Sequence, residues 1–296
     1  MHTTVLLKES IDNLNLASGD TVIDGTLGAG GHSEEMCERF GVGVNIIALD
    51  LDSDAIERSK MRFNNKACNI TYVLSNFKDF DAVLKQKGLV SVDGILLDLG
   101  FSSDQLELSG RGFSFKKDEP LKMTLKKEKD QNDFDAQDIV NNWDEEDIAN
   151  VLYGYGEERF ARRIAREIVE VRENSPIKTT TDLATIITNA VPLFYRHGRI
   201  NPVTKTFQAL RIAVNNELSN LQEVLPKGVA SLSSGGRFAI ITFHSLEDRM
   251  VKNFFRNMER DGLVKIITKK PITPSEEEIQ NNPRARSAKL RVIEKI

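Results

Sequence analysis

Three aspartates, each closing an apolar run, are the residues best placed for chemistry. Asp24 ends Thr21-Val-Ile-Asp24 and opens into Gly25-Thr-Leu-Gly-Ala-Gly-Gly-His32, with glycines at 25, 28, 30 and 31. A loop so poor in Cβ atoms lets a ligand touch the backbone. Asp50 ends Asn45-Ile-Ile-Ala-Leu-Asp50, roughly 20 residues beyond the glycines, as expected of a second-strand carboxylate that accepts both ribose hydroxyls of a nucleoside. Asp98 ends Gly94-Ile-Leu-Leu-Asp98 and runs into Leu-Gly-Phe-Ser-Ser103. The glycines fall as G-x-x-G-x-G-G, so the dinucleotide fingerprint G-x-G-x-x-G is absent.

A phosphate-free ligand with a cationic end suits a loop that begins with an acid. S-adenosylmethionine combines an adenosine, an α-ammonium group and a sulfonium, and is the cofactor expected; a generic nucleotide-binding domain is the alternative. In a doubly wound sheet the end of the Asp98 strand lies beside the glycine loop, where a methyl acceptor would sit. The lone pair of an exocyclic base amine is delocalised into its ring, so a carboxylate that holds the amine and returns density to nitrogen is useful there. Asp98 either does this, or caps its strand and binds the cofactor. Phe101 is placed either to stack on an extruded base or to pack. Phe77, in Ser75-Asn-Phe-Lys78, falls where an adenine would rest, or is core. His32 lines the pocket or lies in the first turn of the following helix.

His244-Ser-Leu-Glu-Asp-Arg249 places a His, a Ser and two acids together, but without a G-x-S-x-G elbow. Ser245 with Asp248 reads as a helix cap, and His244 ends a strand on the same edge as Asp98. Arg159, Arg162, Arg163 and Arg166 recur at helical spacing, and Pro283-Arg-Ala-Arg-Ser-Ala-Lys-Leu-Arg291 with Lys265, Lys269 and Lys270 forms a second basic stretch. Each is a solvated face or a phosphate-binding surface.

The elements that must position these groups alternate as in an α/β protein. Val22-Ile23, Ile46 to Leu49, Ile70 to Leu74 and Gly94 to Leu99 read as strands separated by helical patterns, which predicts a parallel sheet covered on both faces. From Asp104 to Lys205 strand signals give way to helices, announced by caps at Asp135, Asp144, Gly156 and Thr180. Phe207, Leu210, Val214, Leu218, Leu221 and Leu225 then mark one long amphipathic helix that should pack on the sheet. Gly235 to His244 resumes the strand pattern, and Leu263 to Ile267 with Ala288 to Ile293 fits a closing antiparallel pair.

The 296 residues are 40% hydrophobic, enough for two domains, and the net charge of −4 gives no global attraction to nucleic acid. Cys37 and Cys68 read as isolated thiols, and His2, His32, His197 and His244 do not group as ligands, so neither a disulfide framework nor a metal site is expected. With no signal peptide and no apolar run of ~18 residues, a soluble, cytoplasmic protein without membrane contact is expected.

Taken in order, His2-Thr-Thr-Val-Leu-Leu-Lys-Glu, Asp24-Gly-Thr-Leu-Gly-Ala-Gly-Gly-His-Ser, Gly94-Ile-Leu-Leu-Asp-Leu-Gly-Phe-Ser-Ser, Arg111-Gly-Phe-Ser-Phe, Tyr155-Gly-Glu-Glu-Arg, Thr206-Phe-Gln-Ala-Leu-Arg-Ile, Phe243-His-Ser-Leu-Glu-Asp-Arg and Asn282-Pro-Arg-Ala-Arg-Ser resemble the bacterial small-subunit ribosomal RNA cytosine-N4 methyltransferase family, the MraW/RsmH type. The resemblance implies a class I S-adenosylmethionine-dependent fold, Rossmann-like with a mostly parallel seven-stranded sheet. The methyltransferase domain would comprise 1–104 and 206–296, with 105–205 as an inserted helical RNA-recognition domain. It further implies methylation of the N4 amine of a decoding-centre cytidine within the assembled small subunit, and leaves homodimer formation open. Cofactor contacts would fall to Gly30, Gly31, His32, Asp50, Phe77, Asp98 and Gln105, the last on the resemblance alone, with Asp98 catalytic. The family usually shows Pro-Leu-Asp-Met-Arg-Met where this chain has Pro120-Leu-Lys-Met-Thr-Leu125, which reverses the local charge at Lys122 and Thr124 and bears on a salt bridge or an RNA contact. Lys205 replaces a usual Arg and lacks its bidentate fork. An assembly factor that keeps the cofactor fold without activity, and an NAD-linked dehydrogenase, are the competing readings.

Overall fold

A computed structural model describes residues 4–100, 109–126, 133–198 and 201–296, and the chain divides into two units, Met1–Phe101 with Leu218–Ile296, and Ser102–Glu217. In the first unit the strands are β1 (Thr21–Asp24), β2 (Asn45–Asp50), β3 (Asn69–Leu74), β4 (Val92–Asp98), β5 (Leu232–Thr242), β6 (Val264–Ile266) and β7 (Lys289–Lys295). They lie in the order β3-β2-β1-β4-β5-β7-β6, with β1 to β5 parallel and β7 antiparallel to both neighbours. This is the mostly parallel seven-stranded sheet expected, including its closing antiparallel pair.

Alternate side chains of the central strands serve two cores. Ile23, Ile47, Leu49, Ile95 and Leu97 join one apolar cluster, while Val22, Ile46, Ala48 and Leu96 join another. Successive Cβ atoms of a strand point to opposite faces, so a continuous apolar run is what a doubly covered sheet requires. Because β2 and β3 lie on one side of β1 and β4 lies on the other, the chain reverses direction across the sheet between β1 and β4, opening a crevice at their carboxyl ends.

The amphipathic run from Phe207 to Leu225 is two helices rather than one. Asn216 takes a left-handed conformation (φ 50°) between Pro202–Asn215 and Glu217–Ser231, a geometry that asparagine tolerates better than most residues. Phe207, Leu210 and Ala213 join the helical unit's core, whereas Leu221, Val224, Leu225 and Val229 pack in the sheet's core, so the chain returns to the sheet at 218 and not at 206.

The second unit is built from Ala136–Asn142, Glu145–Gly156, Ala161–Arg172, Thr180–Ala190, Leu193–Arg196 and Pro202–Asn215. Asp135 and Thr179 each form a capping box with the acid three residues on. Thr179 takes the role expected of Thr180, whose hydroxyl is instead buried and donates to the Lys117 carbonyl at 2.6 Å. Gly156 ends a helix instead of starting one: the chain turns left-handed at Glu157 (φ 47°), and the bare Cα of Gly156 admits the Lys205 carbonyl, 2.7 Å from where a Cβ would stand.

Cys37 and Cys68 are joined as a disulfide, with their Cα atoms 5.4 Å apart, which corrects the reading of two isolated thiols. Their separation of 31 residues carries no local signal of pairing. Among the described residues no helix is long and apolar enough to cross a membrane.

Candidate functional site

The glycine loop is strapped to both neighbours of β1. Gly25 N–H donates to the Leu96 carbonyl of β4 and Leu27 N–H to the Leu49 carbonyl of β2, each at 2.9 Å. Gly28 (φ 53°) and Gly30 (φ 80°) take left-handed turns that hand the chain to the helix Gly31–Phe40, whose start has no side-chain cap. A Cβ at Gly25 would collide with the Leu97 side chain and stand 3.3 Å from Cβ of Phe77, and one at Gly31 would overlap Thr4. Uncapped N–H groups at a helix start bind a polar ligand directly.

Three carboxylates face this loop, each made costly by burial. Asp24, 1% exposed, accepts from Ser33 Oγ at 2.6 Å and from Thr26 N–H at 3.3 Å. Burial pushes its carboxyl up to about 6, partly offset by these two hydrogen bonds, with the Asp50 charge adding to the rise. Asp50 accepts from Gly28 N–H at 2.7 Å and Asp52 N–H at 2.8 Å; burial still raises its carboxyl despite both. Each of its oxygens keeps a lone pair for a further donor.

Asp98 is the least compensated. Its N–H donates to Thr26 Oγ1 at 2.6 Å, and Oδ2 lies 3.7 Å from His32 Nδ1. Oδ1 is buried with no hydrogen-bond partner among the described residues. Burial first, then the charges of Asp24 and Glu247, push this carboxyl far above the ordinary carboxylate range. The His32 ring is 4% exposed, with Nε2 3.2 Å from the Val5 carbonyl, to which it donates when it carries the ring proton.

Of the residues singled out in the sequence, Gly30, Gly31, His32, Asp50 and Asp98 surround this crevice, and Phe77 stands in a turn beside Gly25. Gln105 and Phe101 lie outside the described residues. Thr26 and Ser33 were not singled out. Their signal is a hydroxyl in, or just after, a glycine loop that an acid must share. The crevice concentrates negative charge and supplies acceptors, and the Arg58 charge acts on Asp50. Such a set could hold the ammonium, sulfonium and ribose of S-adenosylmethionine, with Asp50 toward the ribose hydroxyls, Asp24 and the loop toward the cationic end, and Asp98 toward the reacting end.

His244 follows β5 and caps the helix Ser245–Arg260, where Ser245 with Asp248 was expected to do so. Its Nδ1 accepts from Glu247 N–H at 3.4 Å, and Glu247 Oε2 accepts from the N–H groups of Phe243 (2.9 Å) and His244 (3.3 Å). Asp248 instead binds Arg291 at 2.7 Å and Lys289 at 3.1 Å. Burial works against this carboxylate, yet these two cations hold it below its ordinary range. Arg291 is therefore an internal partner and drops out of the basic stretch, while Lys265, Lys269, Lys270, Arg284 and Arg286 remain exposed. Ser245 is exposed and its neighbours are committed to the cap, which leaves no hydrolytic triad.

In the helical unit Arg162, Arg163 and Arg166 are exposed on Ala161–Arg172, and Arg159 precedes that helix. The Arg159 guanidinium stands 4.8 Å over Phe160, 4.6 Å over Tyr195 and 5.5 Å over the exposed Phe194. Buried Glu158 fixes this cluster from below, accepting from Tyr195 Oη at 2.7 Å. Such a guanidinium and aromatic surface suits phosphates and unstacked bases.

The sequence pattern of the MraW methylase family matches residues 1–296. The chain is 44% identical over 310 residues to the ribosomal RNA small subunit methyltransferase H of Syntrophus aciditrophicus, covering 100% of this chain and 98% of that protein. It is 42% identical to the protein of that name from Brevibacillus brevis and 45% identical to that from Carboxydothermus hydrogenoformans, with the same coverage in each case.

Proposed function

Since the chain belongs to the MraW methylase family, we propose that it transfers a methyl group from S-adenosylmethionine to the exocyclic N4 amine of a decoding-centre cytidine in small-subunit ribosomal RNA. The bound donor supplies a methyl carbon already activated by its sulfonium. What the protein must add is alignment, worth ~7–11 kcal/mol for well-oriented reactants, and an acceptor for the amine. The carboxyl end of β4 offers that acceptor. Asp98 Oδ1 accepts an N4–H, shifts density onto nitrogen and receives the proton that the amine sheds. Cation binding beside Asp24 and Asp98 opposes their burial and favours their ionised forms. The carrying observation is the buried Asp98 oxygen, without a hydrogen-bond partner among the described residues, on the edge that also bears the glycine loop and Asp50.

The helical unit, with Arg159, Arg162 and Arg163 exposed, is the RNA-recognition part, and the assembled small subunit is the partner met in the cytoplasm. The departures at Lys122 and Thr124 favour one second reading, an assembly factor that retains the cofactor fold without turnover. Purified protein and small subunits from a strain lacking the modification decide between them. Methyl incorporation mapped by mass to a single cytidine is expected, with Asp98→Ala lowering it at least ~100-fold while the fold stays intact. Absence of binding to either S-adenosylmethionine or S-adenosylhomocysteine would overturn the proposal.

A further inference from the structure

A second buried atom without a hydrogen bond lies just past the end of the neighbouring strand. His244 Nε2 is buried and, like Asp98 Oδ1, has no hydrogen-bond partner among the described residues. Asp98 ends β4 and His244 follows its paired neighbour β5: Asp98 is in register with Ile241, Leu99 N–H donates to the Ile241 carbonyl at 3.0 Å, and a Cβ at Gly100 would stand 3.6 Å from the Phe243 ring. A buried polar atom left without a partner costs about 1–3 kcal/mol, so two on one strand-end edge call for a common explanation.

Their chemical signs differ. His244 Nδ1 accepts the Glu247 N–H as the cap of its helix, so in the neutral ring the proton sits on Nε2. Glu247 Oε1, 3.2 Å from Nε2, lies outside hydrogen-bond geometry and favours that protonated nitrogen through its charge. Among the described residues the edge therefore holds one acceptor without a hydrogen bond, Asp98 Oδ1, and one donor without a hydrogen bond, His244 Nε2–H, which lies in ion-pair range of Glu247 Oε1.

We infer that His244 reads the Watson–Crick edge of the target base, donating from Nε2 to ring N3 while Asp98 Oδ1 accepts from the N4 amine. This deepens the proposed function and rests on it. Cytosine offers a donor at N4 and an acceptor at N3, matching the pair at both points. Uracil offers an acceptor at O4 and a donor at N3, and meets like against like at both. Adenine shares the amine and ring-nitrogen pattern, so these two atoms select amino over oxo bases and leave pyrimidine over purine to the size of the site. Reading a displaced base by hydrogen bonds to this edge is the general practice of base-modifying enzymes.

His244 also caps a helix, and the variants must separate the two roles. Serine caps well but does not reach the base, whereas glutamine caps poorly but carries an amide N–H at a reach close to that of Nε2. Methyl transfer to unmodified small subunits is measured at saturating S-adenosylmethionine, with affinity for S-adenosylhomocysteine and melting temperature as controls. His244→Ser should keep the melting temperature and the affinity for S-adenosylhomocysteine, yet lose about 10- to 100-fold in kcat/KM for the subunit. His244→Gln should recover most of that loss even if it melts lower. If His244→Ser turns over like the parent protein, or His244→Gln is no better than His244→Ser, the inference is wrong and the proposed function stands. A parent protein that binds S-adenosylhomocysteine but methylates no cytidine would overturn the proposed function itself, and this inference with it.

Discussion

Replacing Asp24 by asparagine should make the ligand-free protein more stable and the donor complex weaker. The Asp24 carboxyl is pushed from 3.8 to about 6 in the folded state, chiefly by burial. At ~1.36 kcal/mol per pH unit this corresponds to about 3 kcal/mol. The sign follows from which state holds the proton more tightly. Between those two values the folded protein does, so the stability associated with this group is fully present below 3.8 and is lost as pH rises through about 6. At pH 8 the folded state therefore holds a buried carboxylate at a cost that asparagine does not incur. The asparagine oxygen can keep the Thr26 N–H while its amide N–H donates to Ser33 Oγ, a hydroxyl that accepts as well as donates, so little else changes. With ~2–4 °C per kcal/mol for a unit of this size, Asp24→Asn should melt about 6–12 °C above the parent at pH 8. The gap should narrow at pH 5 and close near pH 4. Affinity should move the other way, with S-adenosylhomocysteine bound about 10- to 100-fold more weakly, the loss expected when a charged hydrogen bond to its ammonium becomes neutral. Thermal melts across that pH range and calorimetry with S-adenosylhomocysteine test both arms. A variant that melts at or below the parent at pH 8, or a stability gap that does not change with pH, would refute the assignment of burial as the dominant cost.

Three further outcomes are expected. Gly25→Ala drives a methyl group into Leu97 and toward Phe77, so denaturant melts should show a loss of about 1–3 kcal/mol, and calorimetry should show weaker donor binding. Closing a 31-residue loop through Cys37 and Cys68 is worth about 3–4 kcal/mol in a chain-entropy account; a thiol reductant should lower the parent's melting temperature and leave that of Cys37→Ser unchanged. Arg159→Ala should weaken small-subunit binding and reduce its salt slope by about 1, with no change in affinity for S-adenosylhomocysteine. An unaltered salt slope would remove Arg159 from the RNA-contacting surface.

The strands were legible because their signal is local. Val22-Ile23, Ile46 to Leu49 and Ile95 to Leu97 are apolar at every position, as strands buried on both faces must be, and each is followed by an acid or glycine that ends it. Asp50 could be singled out as a ribose ligand because strand order makes its distance from the glycine loop nearly fixed. Helix boundaries were less legible where a neighbour decided them. The periodic spacing continues through Asn216, and only the left-handed turn there assigns its two halves to different cores. Arg291 reads as one more basic residue until Asp248 is placed beside it across 43 residues of chain.

Sequence alone determined the alternation of strands and helices, the bare glycine loop and the type of residue at each strand end, since propensity, backbone freedom and side-chain period act over a few residues. The tertiary structure decided which of those residues are chemically unsettled. The burial that raises Asp24 and Asp98, the proton assignment on His244 and the pairing of Cys37 with Cys68 depend on desolvation and on partners brought together by the fold. No local spacing encodes those sums.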